Sequence, residues 1–175
     1  MIGLKRGTVE LSSYQPEWKR LYEAEADRLQ AIAGDQLLES EHIGSTAIEG
    51  MAAKPIIDLL AVVENVETAR DLVPVLEKHG YEYRPNDDVR GRLFFAKGSR
   101  TNRTHYLSLT ERDSDFFSEK TAFRDYLRTH PTVAAEYEQL KRELADEHPN
   151  NRAEYTEKKG AFIERILERA TSELE

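Results

Sequence analysis

Val9, Leu11 and Ser13 alternate with polar neighbours, which predicts a short strand. Pro16 then opens a stretch in which Trp18, Leu21, Tyr22, Leu29 and Ile32 share one face of a helix, and Gly34 predicts its end. Leu37 to Ile43 reads as extended. Gly44-Ser45-Thr46 breaks that extension into a short helix or loop ending near Gly50. From Pro55 to Val63 the chain is almost continuously apolar, the pattern of a strand covered on both faces, with Pro55 at its start where a missing N–H does least harm. Val66, Ala69, Leu72, Val73 and Leu76 keep helical spacing as far as Gly80, and Pro74 predicts a kink or a second helix start within it. Tyr81 to Tyr83, Leu93 to Lys97 and Thr104 to Thr110 read as three strands, the last two joined by a turn over 98–102, an antiparallel extension of the sheet.

Beyond residue 114 three amphipathic patterns follow one another. Phe116, Lys120, Phe123 and Leu127 mark the first; Val133, Tyr137, Leu140 and Leu144 mark the second, with Pro131 at its first helical position. Tyr155, Phe162, Ile163 and Ile166 mark the third, with Asn150 and Asn151 placed to cap it. Strands interspersed with helices and then helices alone predict an α/β (α+β) domain over residues 1–175: a mixed β-sheet flanked by helices, with a C-terminal helical layer.

The 175 residues, 39% hydrophobic and 33% charged, suffice for one buried core. No stretch approaches the roughly 20 apolar residues of a membrane span, and Met1 to Arg6 lacks the apolar segment of a secretory signal, so neither insertion nor export is expected. Zero cysteines exclude disulfides, thiolate metal sites and cysteine nucleophiles, and fit a cytoplasmic location. A net charge of −8 argues against general nucleic-acid binding. Residues 1–88 carry nine Lys and Arg against 17 Asp and Glu, and residues 111–175 carry 11 against 16. Between Asp88 and Glu111 there is no acid, yet Arg90, Arg92, Lys97, Arg100 and Arg103 are present. A cationic stretch inside an acidic chain suggests a site for a small anion such as a nucleotide phosphate, or else a solvated hairpin.

Glu41 to Gly50 carries a strand end, a Gly-Ser turn and a short helix, an arrangement that presents backbone N–H groups and the hydroxyls of Ser45 and Thr46 to an anion; an ordinary helix cap has the same look. Asp58 stands inside the apolar run, where a carboxylate needs water, a cation or a hydrogen-bonding partner, Lys54 among the candidates.

Gly44-Ser45, twelve intervening residues and then Asp58 in an apolar strand resemble the signature of the nucleotidyltransferase superfamily. More closely, Tyr14-Gln15-Pro16-Glu17-Trp18, His42 to Gly50, Lys54-Pro55-Ile56-Ile57-Asp58, Arg92-Leu93-Phe94-Phe95 and Phe123 to Arg128 resemble the GrpB family in order and spacing, from about residue 8 to residue 170. The same module is fused to some dephospho-coenzyme A kinases, so the resemblance speaks to fold more than to reaction. It implies that Gly44 and Ser45 hold a nucleotide's terminal phosphates and that Asp58 is the first metal-binding carboxylate. Side chains two apart in a strand share a face, but Leu60 stands where the second carboxylate belongs. Mg²⁺ or Mn²⁺ could still be held by one Asp with the nucleotide's help. The strand expected to bring a third carboxylate, Thr104 to Ser108, has no acid, and where many GrpB relatives read Thr-His-His-Leu-His this chain has Tyr106 and Ser108.

His42 and His105 could join Asp58 as ligands of a softer divalent metal, and either also suits a satisfied core position. Lys54 and Arg92 are the cations best placed by motif to meet phosphates, ahead of Arg103 and Arg100, which read as exposed turn arginines, and the Thr46 hydroxyl joins Gly44 and Ser45 among the expected phosphate-binding groups. The expectation is a nucleotide-binding protein, with divalent-metal-dependent nucleotidyl transfer as its chemistry if it is catalytic. The alternative is a binding module for a nucleotide or a protein on a degenerate transferase fold, which Leu60 favours. Metal-dependent hydrolysis by Asp58, His42 and His105 is a third possibility.

Overall fold

The computed structural model describes residues 2–6, 8–85 and 91–174. Its helices and strands are α1 (Glu17–Ala33), β1 (Glu39–Ile43), β2 (Ile57–Val62), α2 (Val66–Ala69), α3 (Val73–Lys78), β3 (Tyr81–Tyr83), β4 (Arg92–Ser99), β5 (Asn102–Thr110), α4 (Asp115–Thr129), α5 (Pro131–Glu147) and α6 (Arg152–Leu174). The five strands form one mixed sheet in the order β1-β2-β5-β4-β3. The β2–β5 pair is parallel and every other pair antiparallel. Among the described residues no helix is long and apolar enough to cross a membrane.

Local chemistry sets most boundaries. Gly34 ends α1 at a φ of 59°. Asn65 caps α2 by accepting from the N–H groups of Glu67 and Thr68, and Ser114 caps α4 by accepting from Phe117. A single turn of tighter helix over Arg70–Leu72 separates α2 from α3, which carries Pro74 in its first turn, so the proline restarts the helix as its position predicts. Pro131 opens α5, and Asn151 accepts from Glu154 at the start of α6.

One expected strand is absent. Residues 9–13 make no ladder, because the Val9 N–H donates to Pro149 while Ser12 bridges to Ala53. Val9 is buried, but against Leu144 and Tyr155 of the helical layer. Its alternation reflects two different partners and no sheet neighbour.

The sheet's two faces differ. On one, Ile57, Leu59, Ala61, Leu93, Phe95, Leu107 and Leu109 meet Trp18 and Leu29 of α1 and Leu76 of α3 in the main core. On the other, Ile43, Leu60 and Val62 meet Phe116 and Phe117 of α4 in a small cluster. Apolar packing on this second face thus runs out toward the start of β2, and α4, α5 and α6 roof the space left there.

Candidate functional site

That space is a cavity of about 180 Å³. Its floor is the Gly44-Ser45-Thr46 turn and Asp58 near the start of β2, and Lys54 enters from the loop before the strand. At Gly44 φ is 73° and ψ −176°, a conformation open essentially to glycine alone. A Cβ on Gly44 would lie 3.1 Å from Asp58 Oδ2, so glycine also permits the close approach of the turn to the carboxylate.

The roof was not anticipated as a site. Lys120 of α4, Tyr137 and Lys141 of α5, and Tyr155 and Lys159 of α6 all line the cavity. Lys141 is 1% exposed; its ammonium donates to the Ala52 carbonyl at 2.7 Å and stands 4.9 Å from the centre of the Tyr137 ring. Lys54 and Lys159 both approach the Tyr155 ring, at 5.4 and 5.1 Å. Lys54, Lys120 and Lys159 donate no hydrogen bond to any described side chain or carbonyl. Tyr155 is fully buried, and its hydroxyl has no partner among the described residues. Burial, reinforced by neighbouring cations, pushes the Lys141 ammonium down to about 7 and that of Lys159 to about 8, and holds Lys54 well below the usual lysine range. Burial pushes the Asp58 carboxyl up, opposed by Lys120, Arg92 and Lys54.

Arg92 belongs to this face, as its motif suggests. Its guanidinium lies 3.4 Å from Ser108 Oγ and between the rings of Phe94 and Phe116, within electrostatic reach of Asp58. Thr46 lines the cavity, but its hydroxyl is bonded to His42 Nε2 at 2.9 Å.

Other expected site residues are not brought together. In register His42 pairs with Leu59 and His105 with Ile57, so both histidines sit on the sheet face opposite Asp58. His42 stacks on Tyr22 of α1, and His105 lies near Glu25 of α1. Burial pushes each imidazole down to about 4, so both are neutral at pH 7. The expected ligand set of Asp58, His42 and His105 therefore does not form, and among the described residues no group of three His, Asp or Glu could hold a metal ion. Arg103 is also elsewhere. It is 2% exposed, beyond a bulge between Lys97 and Gly98, and its guanidinium serves Glu82 at 2.9 Å and the Gly98 carbonyl at 2.6 Å. Lys97 turns to Glu25 on the α1 side, Arg100 is exposed in the β4–β5 turn, and Arg90 lies outside the described residues. The cationic stretch is thus dispersed, and of its described members Arg92 alone acts on Asp58, from the same sheet face but outside the cavity's lining. Leu60 is fully buried among Ile43, Val62, Phe116 and Phe117, with no room on its face for a second carboxylate's hydration.

A wider groove of about 720 Å³ lies beyond the Ser45–Ala47 turn, between α1 and α5. Its carboxylates, Glu23, Glu49 and Glu138, outnumber Lys19 and Arg128, and Arg128 is committed to the Ala47 carbonyl. The smaller cavity is where cations converge.

The mixed sheet bearing a Gly-Ser turn and an Asp on the following strand, roofed by helices, is a nucleotidyltransferase-like fold by similarity. It superposes on the Cid1 poly(U) polymerase, in a structure with MgGTP bound, at a TM-score of 0.53 and 15% identity over 77% of this chain and 44% of that one, a likeness of fold alone. The chain belongs to the GrpB family: residues 8–169 match the family described as GrpB protein. It is 37% identical to the glutamate-rich protein GrpB of Alkalihalophilus pseudofirmus over 95% of this chain and 98% of that one. It superposes on the conserved protein GrpB of Enterococcus faecalis at a TM-score of 0.87 and 38% identity, over 94% of this chain and 99% of that one.

Proposed function

We propose that the protein binds a nucleotide by its phosphates in the lysine-lined cavity, as a binding module more than as a two-metal transferase. The observation that carries this reading is the convergence of Lys54, Lys120, Lys141 and Lys159 beside the Gly44-Ser45 turn. Lys141 is buried and Lys54 and Lys159 half-buried, with Asp58 the carboxylate that acts on Lys54, Lys120 and Lys159; four gathered cations repel one another, and phosphate oxygens supply both charge and acceptors. The ammonium groups then do the neutralising that metal ions do in a two-metal site. The donors present suit at most one divalent ion, held by Asp58 with the remaining ligands from phosphate and water; such an ion would neutralise charge on the phosphates.

Asp58, next to the Gly44-Ser45 turn, also supports a second reading, one-metal nucleotidyl transfer from the same bound nucleotide. Thermal unfolding with nucleoside triphosphates, with and without Mg²⁺ or Mn²⁺, separates the two, because a ligand of the native state raises the melting temperature by mass action. The binding reading expects a rise without metal that survives Asp58→Asn and is lost in Lys141→Met. A rise that needs metal and vanishes in Asp58→Asn favours transfer. No rise with any nucleotide overturns both.

A further inference from the structure

We propose that the occupant of this cavity is selected by its polyphosphate chain and not by its base. The inference rests on the nucleotide reading above and narrows it to the part of the ligand the protein recognises.

Size is the first ground. Sites that enclose a whole drug-sized ligand run from roughly 300 to 1,000 Å³, and this cavity offers about 180 Å³. That is room for a chain of phosphates, and a nucleoside attached to it must lie outside. Lining chemistry is the second. No Asn or Gln faces the cavity, so the side chains best suited to pairing with a base edge are missing, while four lysines and three tyrosines, Tyr106, Tyr137 and Tyr155, line it. Charge is the third. Four lysines stand against the carboxylates of Asp58 and Glu119 on the walls, and Arg92 adds to them, so one negative charge leaves the site under-neutralised and a run of phosphates does not. Tyr155 supplies an independent observation: a fully buried side chain whose hydroxyl has no partner among the described residues, on a ring approached by the ammonium groups of Lys54 and Lys159 at 5.4 and 5.1 Å. A buried hydroxyl left unpaired costs stability, and a phosphate oxygen between those two cations would accept its hydrogen bond.

Calorimetric titration of the full chain at pH 7 tests this, using inorganic tripolyphosphate, ATP, GTP, CTP, UTP, AMP and adenosine, each with and without Mg²⁺. The four triphosphates are expected to bind within about threefold of one another and tripolyphosphate within about tenfold of them, with AMP at least roughly tenfold weaker and adenosine silent. Tyr155→Phe should weaken tripolyphosphate and ATP by the same factor, about fivefold or more, and leave the melting temperature of the free protein unchanged or raised. A preference above about tenfold for one base, or binding of ATP without tripolyphosphate, overturns this inference while the nucleotide site stands. Binding of tripolyphosphate without any nucleotide upholds polyphosphate selection and overturns the nucleotide reading. Silence from every ligand overturns both.

Discussion

Gly44 shows how one residue ties the backbone to the site. Its φ of 73° and ψ of −176° are closed to other residues at a cost of about 1–3 kcal/mol, and a Cβ there would press on Asp58 Oδ2 at 3.1 Å. Gly50 also has a positive φ, 83°, but nothing lies within 4 Å of the Cβ it lacks. Comparing the two isolates the contact. Gly44→Ala should lower unfolding free energy by about 1–3 kcal/mol and also weaken phosphate binding, since the turn must shift away from Asp58. Gly50→Ala should carry only the backbone cost and leave binding intact. Equal losses of affinity in the two variants would mean that the distance from Gly44 to Asp58 does not matter. Denaturant unfolding and phosphate titration read both quantities on the same samples.

At the scale of elements, side-chain parity in the strands decides which cations reach the ligand. Lys97 and Arg92 belong to one strand and one cationic stretch, yet they face opposite sides of the sheet. Lys97 donates to both carboxylate oxygens of Glu25, at 2.9 and 3.0 Å, and the Tyr81 hydroxyl donates to the same group, so α1, β3 and β4 are clamped together. Burial alone would raise the Glu25 carboxyl, but the bonds from Tyr81 and Lys97 prevail and hold it below the usual range. Its contribution is therefore present above the ordinary glutamate value near 4.3 and is lost as pH falls through the lowered one. Lys97→Met strands a buried carboxylate, a change worth about 3–5 kcal/mol when no partner remains and less here because Tyr81 stays. Stability should drop and its acid dependence flatten, with tripolyphosphate affinity unchanged. Loss of affinity would mean that Lys97 does act on the phosphates.

The same parity explains what the sequence disclosed. Gly44, Ser45, Lys54 and Asp58 form one local segment, and Arg92 is carried by a motif, so these were legible; so were the helices, because their apolar spacing and caps are local signals. The faces of His42 and His105 were not, since they depend on the register of β1 and β5 against β2, which is a property of the paired strands. The roof lysines had a signal that was open to reading. Lys120, Lys141 and Lys159 each follow an aromatic residue, Phe116, Tyr137 and Tyr155, by four positions and so fall on the apolar stripe of a helix, where a lysine needs a reason. Three such lysines on three successive helices point to one shared polar cavity beneath them.

Across the whole molecule the site has the opposite sign from its surroundings. The chain carries −8, and its acidic exterior disfavours long polyanions, while the cavity under α4, α5 and α6 gathers cations that fold into place at a cost. That cost makes stability and binding respond to pH in opposite directions. Lys141 and Lys159, held at about 7 and about 8 in the folded protein, return to the ordinary lysine value of about 10.4 when it unfolds. Between about pH 7 and 10 the unfolded chain therefore binds more protons than the folded one, and the stability of the free protein rises with pH across that window. Well below pH 7 the two lysines are protonated in both states and the penalty is constant. A polyphosphate needs the ammonium forms, so its binding takes up protons and its affinity falls over the same window. Denaturation midpoints at pH 7, 8, 9 and 10, with and without saturating tripolyphosphate at pH 7, should show the free protein gaining stability and the ligand's increment shrinking. In Lys141→Met the free protein should be more stable at pH 7 and its pH slope shallower, because the buried charge is gone, and the increment should be small at every pH. A free protein whose stability stays flat from pH 7 to 9 would mean that the fold already compensates these lysines, and the cavity would then have no need of an anion.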